Sequence, residues 1–290
     1  MSPHSLAHEV SKLFTLPDVA IRLNELISAP NSSSHDLARV VQLDPGLSAA
    51  LLKLANSAYY GLVSRVDTIA RAISIIGERE LQVMAMAASV VSTFKGLPED
   101  LVDMANFWDN SVTCGVIARI LGRKCRMPRT EQLFLAGLLH GVGKLVFYAR
   151  ATEKYRALLL EADARDDRSM AIAEQRAFGF DYATLGAELL SCWKLPDMLR
   201  VLVAYQLRPM DAPDYRRETA LVHVAGDMAA SLAPMVKTDA PVAAYKPGFD
   251  PAAWAMLGLD VEVIQEVMQE ANMQALEILE IINPRAAVIY

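Results

Sequence analysis

The residues with the clearest chemical potential lie at positions 138–144, where the sequence reads LLHGVGK. In metal-dependent hydrolases that use a His-Asp pair, the imidazole holds one metal ion. The adjacent carboxylate balances and bridges the metal charge, which lowers the pKa of the attacking water. Here His140 is followed by Gly141, which has no side chain to offer a metal. The sequence therefore predicts a hydrolase-like scaffold that lacks part of the hydrolytic chemistry.

A second candidate for metal binding is the pair His4 and His8, which are four residues apart. On a helix this spacing places both rings on one face, as zinc ligands sometimes are. The sequence offers no third ligand nearby, so a frayed amino-terminal helix is the simpler interpretation. Residues 137–144 also resemble a phosphate-binding loop, but Leu145 stands where Ser or Thr would hold magnesium.

The elements that must position these residues are helices, because apolar residues recur at spacings of three and four and no convincing alternating strand occurs. Asp44 can cap a helix whose first turn contains Pro45 and which ends near Tyr60-Gly61. Thr68 can cap the next helix, which Gly77 ends in a left-handed conformation. We expect an all-α fold with further helices over residues 78–94, 131–140, 183–193, 196–205 and 219–232.

Breaks in this pattern divide the chain. The Lys-Gly-Leu-Pro stretch at 95–98 predicts a boundary between an amino-terminal helical lobe, 1–98, and a second helical lobe, 99–233. The last part, 234–290, combines an irregular proline-containing segment with a long terminal helix. That helix carries an apolar stripe. The preferred interpretation is that the stripe packs on the protein's own core, and the alternative is that it forms the contact of a homodimer. The stripe consists of Ile264, Met268, Ala271, Ala275, Ile278 and Ile282.

Composition excludes several classes of function. The 290 residues are 53% hydrophobic, which fits a globular protein, and the formal net charge is −6. Without a long run of Lys and Arg, direct binding of nucleic acid is not expected. The three cysteines lack metal-site spacing and indicate reduced, buried thiols. With no signal peptide or membrane-spanning run in the sequence, we expect a soluble cytoplasmic protein without membrane insertion.

The chain resembles the HDOD domain, the HD-related output domain of bacterial signalling proteins, over about residues 16–232. The most specific part is the run from Asp-Pro to Asn-Ser, in which several consecutive features agree. The resemblance implies an all-helical protein whose second lobe is similar to HD-domain phosphohydrolases. The matching residues are Leu16-Pro17, Asp44-Pro45-Gly46-Leu47, Lys53-Leu54-Ala55-Asn56-Ser57, Ile69-Ala70-Arg71-Ala72-Ile73, Ile76-Gly77, Phe107-Trp108, Ser111, Gly137-Leu138-Leu139-His140, Gly143-Lys144-Leu145 and Trp193-Lys194-Leu195-Pro196.

The resemblance also implies where an active HD site would hold its metal ions. At those places this chain has Asn110, His140-Gly141, Tyr182, Tyr205-Gln206 and Asp227. Only His140 and Asp227 are competent ligands, whereas a catalytic zinc site generally uses three protein ligands and a water. We therefore expect a degenerate HD-like lobe with no catalytic residues and no metal. Lys144 matches the lysine that could meet a phosphate in such a cleft, although a cation near a helix end is the plainer interpretation.

The remaining motif residues are expected to be structural. For Asn56 and Ser57, side-chain hydrogen bonds to the following turn are favoured over ligand binding. The other members of this set are Asp44, Pro45, Gly77, Trp193 and Pro196.

The expected function is a non-catalytic signalling module that contacts other signalling proteins and needs no cofactor. The resemblance implies two-component or cyclic-dinucleotide signalling in a bacterium, as in a response-regulator output module. One alternative is a metal-dependent HD phosphohydrolase or phosphodiesterase. Another is a sensor that binds a small anion or nucleotide in the relic cleft, which His140, Lys144 and Asp227 lining one pocket would favour.

Overall fold

A computed structural model describes residues 2–28, 33–57, 65–161, 167–232 and 247–283. Within these ranges the regular secondary structure is entirely helical, as the sequence predicted. A short 3₁₀ turn, Pro209–Asp211, lies between the thirteenth and fourteenth helices. In the described ranges the helices are α1 (Pro3–Leu13), α2 (Asp18–Ser28), α3 (Ser34–Gln42), α4 (Pro45–Ala55), α5 (Ile69–Ile76), α6 (Glu78–Thr93), α7 (Met104–Lys124), α8 (Thr130–Leu139), α9 (Val142–Arg150), α10 (Thr152–Glu161), α11 (Asp167–Phe178), α12 (Tyr182–Cys192), α13 (Asp197–Tyr205), α14 (Arg216–Ser231), α15 (Pro251–Leu257) and α16 (Val263–Ile282).

The helices form two compact units. The larger unit contains the chain up to Phe14 together with Gly96–Asn272, and the smaller unit contains Thr15–Lys95 together with the chain from Met273 onward. The division after Lys95 falls within the break that the sequence placed at 95–98. The units differ from the ranges 1–98, 99–233 and 234–290 because α1 packs on α12 and α15 packs on α14, so both helices belong to the larger unit.

Local caps define the helices of the smaller unit. The side chain of Asp44 accepts a hydrogen bond from the Leu47 backbone at 3.0 Å, and Thr68 accepts one from the Arg71 backbone at 3.4 Å. Both caps were predicted from the sequence. Gly77 ends α5 with φ 87° and ψ 157°, a positive φ but an extended ψ rather than the left-handed helical conformation expected. Helix α4 ends at Ala55, and the end predicted at Tyr60-Gly61 lies outside the described residues.

The core of the larger unit is built on close contact between α7 and α8. A Cβ atom added to Gly137 would lie 2.7 Å from the Cα of Gly115, so the two backbones touch at this pair of glycines. Residues 133–139 are all buried. In the described chain one segment, Thr130–Arg150, is long and apolar enough to cross a membrane by length and composition. It spans α8 and α9 and is mostly buried inside the protein, as a core helix is.

Helices α9 and α12 approach each other even more closely. A Cβ atom at Gly143 would lie 2.0 Å from the carbonyl oxygen of Tyr182 and 2.6 Å from the backbone nitrogen of Gly186. Only glycine fits at this position without moving a backbone. The contact also places the next residue, Lys144, against the side chain of Tyr182.

The sequence predicted some helices better than others. Helices α6, α8, α12 and α13 lie within a residue or two of their predicted ends, and α14 begins at Arg216 rather than residue 219. Helices α9, α10 and α11 were not predicted. The apolar stripe of α16 is buried within the protein. Of the irregular segment predicted from residue 234 onward, only residues from 247 are described.

Candidate functional site

His140 lies at the break between α8 and α9. Its ring is buried, and Nδ1 donates a hydrogen bond to the Gly137 carbonyl oxygen at 2.6 Å. Its own carbonyl oxygen accepts a hydrogen bond from Gln206 Nε2 at 2.6 Å. Burial lowers the pKa of His140, although the charge of Asp167 opposes this shift. The imidazole is therefore neutral at pH 7, with its proton on Nδ1.

An ion pair joins α9 to α11 near His140. Lys144 Nζ lies 2.5 Å from Asp167 Oδ1, and the hydroxyl of Tyr182 donates to Asp167 Oδ2 at 3.0 Å. The same ammonium lies 4.6 Å from the centre of the Tyr182 ring. Burial alone would raise the pKa of Asp167, but the adjacent Lys144 ammonium holds it below its ordinary value. The pair is therefore ionised, and we call Lys144, Asp167 and Tyr182 the charge cluster.

A second carboxylate of α11, that of Glu174, bonds to the backbone of Tyr182. Glu174 Oε2 accepts a hydrogen bond from the Tyr182 backbone nitrogen at 2.6 Å, and Oε1 accepts one from the Tyr155 hydroxyl at 2.5 Å. Glu174 is fully buried, and this burial raises its pKa to about 7. Asp167 and Glu174 are two turns apart on α11. Both carboxylates therefore bond α11 to its neighbours, on the helix that also buries Met170 and Ala171.

The charge cluster contains two of the residues that the sequence singled out, Lys144 and Tyr182. Asp227 has a separate structural contact, since its Oδ2 accepts a hydrogen bond from the Gly248 backbone at 3.0 Å. Asn110 and Tyr205 are half-buried on α7 and α13. Neither is among the described hydrogen-bond partners of the cluster.

Gly141 lies against an aromatic ring. A Cβ atom at this position would be 3.3 Å from Cε2 of Phe107, so a side chain there would press on that ring.

A second buried histidine of the larger unit, His223, is hydrogen-bonded through both ring nitrogens. Its Nδ1 donates to the Gln206 carbonyl oxygen at 2.7 Å, and its Nε2 accepts from the Asp250 backbone at 3.0 Å. Burial lowers the pKa of His223 as well. The ring thus connects α14 to the segment before α15 in its neutral form, and no lone pair is left for a metal ion.

The residues at the positions of the HD metal ligands do not fit an HD-type metal centre. Gly141 has no donor atom, the Tyr182 hydroxyl donates its proton to Asp167, and the Lys144 ammonium supplies positive charge where a dication would be repelled. No group of three or more His, Cys, Asp or Glu side chains is arranged for a metal ion in the part of the chain that the structure describes.

Sequence reasoning missed both carboxylates of α11. Asp167 follows a stretch of charged residues and alanines, Glu161 to Asp166, which is typical of a solvated surface. The spacing of seven residues between Asp167 and Glu174 places both on one helical face, and this was the only available signal. Nothing in the sequence indicated that Lys144 lies opposite that face.

Most of the family-motif residues make local structural contacts. Asn56 donates to the carbonyl oxygens of Leu52 at 2.7 Å and Val66 at 2.8 Å, and its Oδ1 accepts from the Val66 backbone at 2.7 Å. Asn56 thereby links the end of α4 to Val66. Neighbouring Ser57 is buried.

Trp193 and Pro196 lie at the junction of α12 and α13. Trp193 Nε1 donates to the Phe14 carbonyl oxygen at 3.1 Å, and Pro196 immediately precedes α13. The tryptophan thus ties the end of α1 to the end of α12.

Solved structures of similar fold come from several bacteria. A protein from Shewanella amazonensis SB2B, named "Putative phosphohydrolase", has a TM-score of 0.75 at 23% identity, covering 96% of this chain and 97% of that one. An HDOD domain protein with unknown function from Geobacter sulfurreducens has a TM-score of 0.71 at 20% identity, with 97% of each chain covered. A "Putative signal transduction protein" from Marinobacter aquaeolei VT8 has a TM-score of 0.70 at 25% identity, covering 94% of this chain and 60% of that one.

Sequence comparison agrees with the fold. An uncharacterized protein of Treponema pallidum (strain Nichols) is 23% identical over 214 residues, which is 72% of this chain and 40% of that relative. The chain thus spans less than half the length of this curated relative. The model of the HDOD domain family matches residues 13–209, which overlaps most of the stretch of about residues 16–232 expected from the motifs. This chain belongs to the HDOD domain family.

Proposed function

We propose that this protein is a non-catalytic signalling module that acts by contacting other proteins. The observation that carries the proposal is the ion pair between Lys144 and Asp167, bonded in turn to Tyr182. In an active HD site, positive charge would come from metal ions that activate water. In this chain an ammonium group supplies it, and an ammonium cannot lower the pKa of a bound water as a metal does.

The comparisons support a role in signalling. The HDOD resemblance implies a bacterial output domain, and the similar protein from Marinobacter is named for signal transduction. That protein and the Treponema relative are both longer than this chain. We propose two-component or cyclic-dinucleotide signalling as the context, in the cytoplasm, with a receiver domain acting in the same or another chain. The acidic net charge favours protein partners over nucleic acid.

The rival function is metal-dependent phosphate ester hydrolysis, which the name of the similar Shewanella protein suggests. The deciding experiment incubates the full chain with Mn²⁺ or Fe²⁺ and measures release from p-nitrophenyl phosphate, bis(p-nitrophenyl) phosphate and cyclic di-GMP. His140→Ala is the matched control, because it removes the one imidazole left at the HD doublet. We expect no turnover in either protein. Metal-dependent turnover that His140→Ala abolishes would overturn the proposal.

A sensor of small anions is the second candidate, and Lys144 is the residue that would bind the anion. Its ammonium is already neutralised by Asp167, and Asp227 is bonded to Gly248. An incoming phosphate would have to displace a charge-assisted bond and face the Asp167 carboxylate. Thermal shift titrations with phosphate, GTP and cyclic di-GMP test this. A saturable shift that Lys144→Met removes would favour the sensor over the interaction module.

The contact surface itself is open to direct mapping. Large apolar side chains are exposed at several places, among them Leu43 just after α3, Ile172 on α11 and Met273 on α16. A photo-crosslinking residue placed at each position in the intact protein would capture neighbours in the cell of origin. We expect a discrete protein adduct at one position and not at the others. A homodimer, which α16 could form through the face bearing Met273, would appear as an adduct of twice the chain mass.

A further inference from the structure

We propose that a cavity beside the 3₁₀ turn Pro209–Asp211 binds a guanine nucleotide. The residues that line it all belong to the larger unit, and its volume is about 380 Å³. Cavities that hold small molecules usually measure about 300–1,000 Å³. No residue of the charge cluster is among its described lining residues, so this site is separate from the ion pair of Lys144.

Three segments that form the walls of this cavity meet at the buried ring of His223. Its Nδ1 donates to the Gln206 carbonyl oxygen at 2.7 Å, next to the segment that leads into the 3₁₀ turn. Its Nε2 accepts a hydrogen bond from the Asp250 backbone at 3.0 Å and lies 3.4 Å from Nη2 of Arg168. Because one side chain holds the three segments together, the cavity is formed before a ligand arrives.

The cavity combines charges of both signs. Arg168 and Arg208 bring guanidinium groups to its described lining, and Asp211 and Asp250 bring carboxylates. Because two positive and two negative charges cancel, a simple anion such as orthophosphate gains little from their summed field. The lining instead matches a ligand that presents hydrogen-bond donors as well as acceptors.

Arg208 and Asp211 are placed to recognise one ligand together. The Asp211 backbone donates to the Arg208 carbonyl oxygen at 3.0 Å, and in such a 3₁₀ turn side chains three residues apart project in the same direction. Arg208 Nη2 lies 3.7 Å from Asp181 Oδ2, which leaves other N–H groups of this exposed guanidinium available. The Asp211 carboxylate is exposed and has no hydrogen-bond or ion-pair partner among the described residues.

Guanine is the base that fits this pair of side chains. Its O6 and N7 atoms accept two hydrogen bonds from an arginine, and its N1–H and 2-amino groups donate to a carboxylate. Adenine has an amino group in place of O6 and no N1–H, so it would set a donor against Arg208 and lack a donor for Asp211. Leu207, Met210 and Pro251 supply apolar surface for the faces of the base.

Arg168 is the residue that we assign to the phosphate of the nucleotide. Guanidinium groups bind phosphate oxygens through two parallel N–H bonds, and five N–H donors allow this beside the contact with His223. Asp250 has a structural role, because its Oδ1 accepts a hydrogen bond from the Ala252 backbone at 2.8 Å and caps α15. A guanine nucleotide thus uses the three charged side chains that are not needed for that cap.

The test is isothermal titration of the full chain with GMP, and separately with guanosine, AMP and sodium phosphate. We expect one GMP to bind per chain, guanosine to bind more weakly because it lacks the phosphate, and AMP and phosphate to show no saturable binding. GTP and cyclic di-GMP are titrated in the same way. Tighter binding of either one than of GMP would support the site and identify its ligand.

Matched variants test the assigned residues. Asp211→Asn and Arg168→Met should each weaken GMP binding by roughly tenfold or more, since each removes one paired set of hydrogen bonds. Asp214→Asn and Arg176→Met should bind GMP as the parent does, because both change exposed residues outside the described lining. Far-ultraviolet circular dichroism confirms that each variant is folded before titration.

Three results would overturn the site. The first is no saturable binding of GMP, GTP or cyclic di-GMP by the parent chain. The second is binding of AMP as tight as that of GMP, which would show that the base is not recognised. The third is GMP binding that Lys144→Met removes and Asp211→Asn leaves unchanged, which would assign the nucleotide to the charge cluster. Contact with partner proteins is measured separately, so its failure would not be mistaken for failure of this site.

Discussion

The contact between α9 and α12 at Gly143 gives a quantitative prediction for Gly143→Ala. The new methyl group would lie 2.0 Å from the Tyr182 carbonyl oxygen and 2.6 Å from the Gly186 nitrogen, whereas ordinary contact begins at 3.4 Å. Both neighbours are backbone atoms, so the helices must move apart by more than about 1 Å. Overpacking of this kind costs about 3 kcal/mol, and the better helix propensity of alanine returns about 1 kcal/mol. We expect a net destabilisation of about 2 kcal/mol.

Gly141→Ala is the matched control, two residues away. Its methyl group would meet only the edge of the Phe107 ring at 3.3 Å, and a side chain can shift by the few tenths of an ångström required. We expect a change in the free energy of unfolding within about 0.5 kcal/mol. The pair of variants thus separates helix contact from the general effect of replacing glycine in this stretch.

Tryptophan fluorescence during urea unfolding measures the difference in stability between the two variants, because it reports on the larger unit that contains both substitutions. All three tryptophans, Trp108, Trp193 and Trp254, belong to the larger unit. With a slope of about 2 kcal/mol per molar urea, Gly143→Ala should lower the midpoint by about 1 M. A Gly143→Ala midpoint equal to that of Gly141→Ala would refute the close approach of α9 and α12.

Three further predictions concern the charge cluster and its surroundings. Gly141→Asp should lower Tm, because the new carboxylate is buried against Phe107, and should show no hydrolysis with Mn²⁺; activity from this one change would refute the ligand assignments. Lys144→Met should lower the free energy of unfolding in urea by about 1–3 kcal/mol. This is less than for a fully buried ion pair, because the Asp167 side chain is 36% exposed. Adding Asp167→Asn should recover part of the lost stability. The pKa of Glu174 rises on folding from 4.5 to about 7, so its protonated form stabilises the fold below pH 4.5 and this stabilisation is lost as pH rises toward 7. Relative to the parent, Glu174→Gln should therefore gain roughly 3 kcal/mol in urea unfolding between pH 4.5 and 7.5; parallel pH profiles would contradict this.

Features encoded by neighbouring residues were predictable from the sequence. The caps at Asp44 and Thr68 depend on side chains within three residues of the backbone they bind. The buried stripe of α16 depends on a spacing that the sequence displays directly. The loss of the His-Asp doublet was equally visible, since it needs only the identity of Gly141.

Features that join distant segments were not predictable. Asp167 belongs to a charged run whose local pattern indicates a solvated surface, and its role exists only because Lys144 lies opposite. Helix α1 precedes the smaller unit in sequence yet packs on α12, so the break at 95–98 alone could not assign it. Gly143 lies inside α9, and its lack of a side chain serves the contact with α12, a distant segment of the chain.

Lys144 is part of the chain, so the positive charge beside Asp167 does not depend on the supply of metal ions. A bound metal ion exchanges with the solution, so chelators and metal starvation change the fraction of a metal-dependent protein that is folded. The ammonium of Lys144 is present in every copy at a fixed ratio of one to one with Asp167. The ion pair that joins α11 to α9 is therefore complete within the chain itself.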